Sequence, residues 1–190
     1  MAKSNLETIF EKNRYDRSIV LKSKTWFQQQ AMALSRKRID HKRLFSEQKT
    51  TSNIVPGKLY MFLYDAKHKA TLPYYDRFPL VFPYQKVEGG FMGLNMHYLP
   101  YYYRVQLMSR LMQYASSKTL DENTKLRYSW SLIAGVSKFK LAEACIKHYL
   151  TDHVHSLFIE IPGEQWHTAM MLPVEKFTVN KTTVWGDSLK

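Results

Sequence analysis

The chain is short of the residues on which several kinds of chemistry depend. It has one cysteine, Cys145, in 190 residues. That excludes an internal disulfide and a cysteine-built zinc site, and it suits a small buried thiol in a reducing compartment. No apolar run reaches the ~18 residues of a membrane span, and charges recur from the N-terminus onward, so neither a span nor a secretory signal is expected. A soluble protein of intracellular origin follows from that reading. Proline and glycine are both missing between Leu6 and Phe45, which leaves that segment without a strong turn former or helix breaker. Acids are scarce as well: 16 Asp/Glu stand against 28 Lys/Arg, for a net charge of +12.

The motifs of common enzymes are absent too. There is no phosphate-cradling glycine loop, no Gly-x-Ser-x-Gly elbow and no Cys-His pairing. A nuclease would need clustered carboxylates to hold divalent cations. The Asp65-Ala66-Lys67 fragment has the look of one piece of such a site, but no second acid stands at a persuasive spacing. His148, His153 and His155, with Asp152 beside them, raise a metal site, yet they lack the partner ligands of known sites and read as histidines at a helix-to-strand junction. No enzymatic activity, metal or cofactor is expected.

The positive charge is unevenly spread. Residues 1–50 carry 12 Lys/Arg against 5 Asp/Glu, and the densest run is "RKRIDHKR", with Arg36, Lys37, Arg38, Lys42 and Arg43 around a single Asp40. Apolar residues at loosely helical spacing (Leu6, Ile9, Phe10; Trp26, Phe27, Ala31, Leu34) predict one or two helices here. A basic segment joined to a more balanced body suits contact with nucleic acid or with an acidic protein surface, or else a solvated helix that aids solubility. "SEQKTTSN" (46–53) is polar and aperiodic and reads as a linker. The expected division is therefore a basic helical arm with linker over 1–53 and a body over 54–190.

In the body, "KLYMFLYD" (58–65) predicts a strand entering a turn. "FPLVFPY" (78–84) predicts an edge strand or an extended segment lying across others, because Pro79 and Pro83 lack backbone donors. "FMGLNMHYL" (91–99) predicts a third strand after a Gly-Gly turn. Three helices should follow: one from Tyr101, one behind a Thr119/Glu122 capping box, and one over "KLAEACIKHYL" (140–150). "SLFIEIPG" (156–163) returns to strand, "MMLP" and "KFTV" are candidates for more, and a polar tail begins at Asn180. The expected class is α+β: a small bent antiparallel sheet or half-barrel with a three-helix insertion and an extended N-terminal helical arm.

Arginines and rings interleave at Tyr74, Tyr75, Asp76, Arg77 and Phe78, and again at Tyr101, Tyr103 and Arg104. This is the composition of a stacking and phosphate-contacting surface, and equally that of a core or protein-interface aromatic cluster. Prolines 73, 79 and 83 stiffen the first group, which favours fixed ring directions and a rigid contact.

The "YYDRFPLV" and "GLNMHYLP" segments, with the "TWF" patch upstream, resemble a family of small virion-associated proteins of T4-like contractile-tailed phages, over roughly residues 22–185. The resemblance implies a virion setting after synthesis in the host cytoplasm. Members are described either as structural components or as protectors of packaged DNA ends. A structural role in tail, baseplate or neck, among neighbouring virion proteins in a symmetric assembly, is the first expectation. Protection of duplex DNA ends is the second.

Overall fold

The computed structural model describes residues 49–104, 119–136 and 140–190. The arm's Arg36, Lys37, Arg38, Lys42 and Arg43, and most of the helix expected from Tyr101, lie outside these residues. The fold is α+β, as expected, built on a six-stranded, wholly antiparallel open sheet. Its strands are β1 (Thr50–Thr51), β2 (Leu59–Met61), β3 (Leu80–Val87), β4 (Gly90–Asn95), β5 (Ile146–Leu150) and β6 (Phe158–Ile161), in the order β1-β6-β2-β3-β4-β5. Thr50 and Thr51, inside the segment read as linker, pair with Ile159 and Phe158. The helices are α1 (Glu122–Val136), α2 (Lys140–Glu143), α3 (Trp166–Met171) and α4 (Lys181–Ser188), and residues 101–104 are helical. Among the described residues no helix is long and apolar enough to cross a membrane.

Strand alternation gives the sheet two apolar faces. Leu59, Met61, Leu80, Phe82 and Leu94 point to one, where Ile133 of α1, Trp166 and Met170 of α3 and Val184 of α4 cover them. Tyr60, Phe62, Val81, Phe91, Tyr149 and Phe158 form the other, with Ile54, Tyr64 and Val154 packed beside them. That second face is mostly rings. Phe62 sits edge-on to Phe158 at 5.0 Å and to Tyr149 at 5.2 Å between centroids, the T-shaped geometry that ring quadrupoles favour.

Three expectations change. The segment expected at an edge or lying across others, β3, is an interior strand between β2 and β4. It tolerates Pro83 because its pairing with β2 stops at Val81, and because the register with β4 slips between Pro83 and Gln85, a bulge being one of the few places a sheet accepts proline. The bulge turns the Tyr84 carbonyl toward α1, where Trp130 Nε1 donates to it at 3.0 Å. The third expected helix is real only as the single turn α2; from Ile146 the chain is strand, pairing with β4 from Leu94 to Gly90. The tail expected from Asn180 is α4, capped by the Asn180 side chain on Thr182 N and anchored by buried Val184. A smaller revision concerns α1, where Asp121 makes the cap by accepting from Thr124 N at 3.0 Å.

Candidate functional site

Among the described residues the sheet ends at β5, and a cavity of about 500 Å³ opens beside that edge. Five tyrosines line it: Tyr64, Tyr74, Tyr75, Tyr98 and Tyr149. Tyr149 stands on β5, Tyr98 in the short 3-10 turn Met96–Tyr98 after β4, and Tyr74 and Tyr75 in the proline-stiffened loop. Lys67 and His68, both exposed, come from the turn after Tyr64, and Lys147 comes from β5. Lys147 Nζ lies 4.2 Å from the centre of the Tyr98 ring, a cation over an aromatic face.

Glycine makes the edge possible. A Cβ on Gly90 would stand 1.9 Å from the Tyr149 carbonyl oxygen, and one on Gly93 would meet Val81 Cγ1 at 2.3 Å. Only a residue without a side chain lets β4 carry β5 and β3 so closely at these points. Gly89, at φ +70°, supplies the left-handed turn that starts β4.

Behind the cavity floor is a buried polar network. Asp76 Oδ1 accepts from the backbone N–H groups of Phe78 and Lys176 at 3.0 and 3.1 Å. Its Oδ2 accepts from His97 Nδ1 at 2.6 Å and from Asn95 Nδ2 at 3.3 Å. Asn95 Nδ2 also donates to the Tyr149 hydroxyl at 3.0 Å, so the carboxylate fixes the position of a cavity ring. Burial alone would raise the Asp76 carboxyl; the charge and hydrogen bond of His97 and the two backbone donors outweigh it and hold the group below the usual carboxylate value.

The phenols shift the other way. Burial raises the pKa of Tyr64, Tyr74, Tyr75, Tyr98 and Tyr149, so each presents a neutral ring at physiological pH. Burial lowers that of Lys147 and pushes the Cys145 thiol up to about 12. The cavity thus offers stacking faces, hydroxyls and a rim of cationic side chains, a set suited to holding a flat, anionic ligand.

The residues singled out in the sequence fall into two places. Tyr74, Tyr75 and Asp76 meet at the cavity, with Asp76 buried at its back. Arg77 is exposed next to them; its backbone N–H donates to Lys176 O and its carbonyl accepts from Tyr64 N. Phe78 packs half-buried on the core. Tyr101, Tyr103 and Arg104 belong to another region, where α4 and the segment after α3 meet. Tyr101 donates to Glu175 at 2.9 Å and packs on Trp185, and Tyr103 packs on the core.

Arg104 and Asp76 are corrected as surface contacts, since both are buried. Arg104, with no exposed surface, donates from Nε to Leu99 O at 2.7 Å and from its NH2 group to His97 O at 2.8 Å, and lies over the Tyr101 ring at 4.7 Å. Its charge serves the interior.

Tyr64, His68, Tyr98, Lys147 and Tyr149 were not singled out, and Lys67 drew notice only in the Asp65-Ala66-Lys67 fragment. The "YDAKHK" segment had drawn notice as a nuclease fragment, but nothing local says that β5 returns beside it. His148 lies on β5, and His153 ends a 3-10 turn with Nδ1 against Asp65 O at 2.9 Å. Among the described residues no three His, Cys, Asp or Glu side chains gather to hold a metal.

The family described as phage T4 terminal DNA protecting protein matches residues 10–187 of this chain. No curated protein matches it, and no solved structure does.

Proposed function

Because the chain belongs to the family of phage T4 terminal DNA protecting proteins, we propose that it binds the ends of phage DNA and shields them from exonucleases. The observation that carries this reading is the family match over nearly the whole chain. The net charge of +12 supports it, since neutralising backbone phosphates is the main source of affinity for duplex DNA. The family description names DNA termini, and so favours this reading over a tail, baseplate or neck component. Protection here is occlusion rather than chemistry: the protein is not an enzyme, and it acts in the virion by covering the end that an exonuclease must enter. The exposed basic groups, with the run from Arg36 to Arg43, supply general phosphate contacts, and a separate feature must tell an end from the duplex interior.

The experiment is gel-shift titration of full-length protein on linear and relaxed circular forms of one duplex, followed by exonuclease digestion of the linear form. The expected result is tighter binding to the linear form, slower digestion, and an affinity that falls steeply with salt. Equal affinity for both forms together with undiminished digestion would overturn the proposal and return the structural virion role to first place.

A further inference from the structure

The cavity beside β5 brings together aromatic rings, lysine side chains and main-chain donors. Tyr64, Tyr74 and Tyr75 are half-buried and give the cavity its accessible aromatic surface, with Tyr74 packed on the buried Tyr98 at 6.1 Å between centroids. Lysine side chains reach the cavity from two separate segments, Lys67 from the turn, beside His68, and Lys147 from the strand.

The strand itself adds a third element. Leu150 N donates to the Tyr64 hydroxyl at 3.3 Å, away from β4, whereas Cys145 O and Thr151 N bond back toward the β4 side, to Asn95 N and Gly89 O. Antiparallel alternation then directs the N–H groups of Ile146 and His148, with their carbonyls, outward as well, along an edge that no other described strand pairs and where the cavity lies. Main-chain donors beside lysines make a natural anion site.

Size and shape narrow the ligand. A cavity of about 500 Å³ is in the small-ligand range and is far too small for a duplex, so a nucleotide must leave its stack to enter. Extruding an interior nucleotide breaks pairing and stacking on both sides, while one at a terminus or in a frayed strand costs least. A terminal phosphate monoester also carries roughly −1.5 to −2 charges near neutrality, more than the single charge of an interior phosphodiester.

We propose that this cavity takes the terminal nucleotide of a DNA strand, its base against the tyrosines and its phosphate on Lys67, Lys147 and the outward N–H groups of β5. The inference rests on the end-binding reading above and supplies its discriminating element. A protein strand added to the same open edge would be the competing use, but the cationic rim and the single-nucleotide dimensions favour the nucleotide.

The test uses full-length protein and a duplex with 5-iodouracil at the 5′-phosphorylated terminal position or at an interior one. Irradiation and mass spectrometry should place the terminal crosslink in residues 64–75 or 146–150, and the interior one elsewhere. Lys67→Ala with Lys147→Met should reduce the preference for linear over circular duplex about tenfold, as expected for losing charge-assisted contacts, and removing the terminal phosphate should do the same in the unaltered protein. Lys67→Ala alone touches only an exposed side chain, so a smaller loss in that variant keeps the test valid if the double variant is unstable. If linear and circular duplex bind equally in the unaltered protein, end binding itself fails. If the preference persists in both variants and terminal crosslinks map outside the cavity, the end-binding reading stands and the cavity assignment falls, leaving the edge to a partner strand.

Discussion

At the residue scale, the two charges most deeply buried do the structural work. Asp76 gathers four donors from three separate segments, and removing one partner of a buried pair leaves the other uncompensated. Asp76→Asn should therefore lower unfolding free energy by about 3–5 kcal/mol at pH 7, measured by urea titration. The sign with pH follows from the depressed carboxyl. Its contribution is present above the unfolded value near ~3.9 and is lost as pH falls through the lower folded value. The gap between the two proteins should thus narrow below about pH 4, and a gap that widens there would contradict the assignment. Arg77 is the opposite case. Of the two arginines set among tyrosines, it is Arg104 that lies over a ring and bonds backbone carbonyls, its guanidinium wholly enclosed. Local spacing cannot tell which of two arginines beside tyrosines turns inward, because that is decided by α3, α4 and the segment after α3, some 65 to 85 residues later. With Arg77 exposed, Arg77→Ala should leave stability within about 0.5 kcal/mol and reduce the salt slope of DNA binding by about one. A loss of stability of several times that size would show that its side chain is structural.

At the element scale, the sheet was legible where its signals were local and was lost where pairing decided. β4 and β6 were foreseen because apolar runs and turn glycines bound them. β5 was taken for helix because "KLAEACIKHYL" carries helix formers at its start, and "IKHYL" became a strand only by finding the free edge of β4, a non-local choice that overrides propensity. α4 was missed because only one of its side chains, Val184, is deeply buried among the apolar positions of a polar stretch. The cavity was hidden for the same reason as β5: residues 146–150 of that strand form one whole wall of it. The Gly90 contact gives this junction a test. Gly90→Ala places a methyl where the Tyr149 carbonyl stands, so β5 must move, at a cost of about 1–3 kcal/mol or more. Faster amide exchange in residues 146–150 than in β2 and β3 is the expected signature, and uniform exchange across the sheet would argue that the strain spreads instead.

At the scale of the whole molecule, a basic segment is joined to a body whose sheet reaches back to Thr50, with Lys49 O accepting from Glu160 N at 2.9 Å. A chain beginning at Lys49 should retain cooperative thermal unfolding while losing much of its general DNA affinity, since the densest cationic run is gone. Retained affinity would place the phosphate contacts on the body, and lost cooperativity would make the removed segment part of the core. The order of pairing also sets a timetable. β1 lies against β6, more than a hundred residues further along, and α4 completes the core from the last stretch of sequence. At about 5–20 residues per second of synthesis, the first strand waits roughly 5–20 s for its neighbour to emerge. Throughout that interval the aromatic face of β2 and β3 is without Phe158 and Tyr149, so the nascent chain passes through a stage in which its stickiest surface is bare and chaperone capture competes with folding.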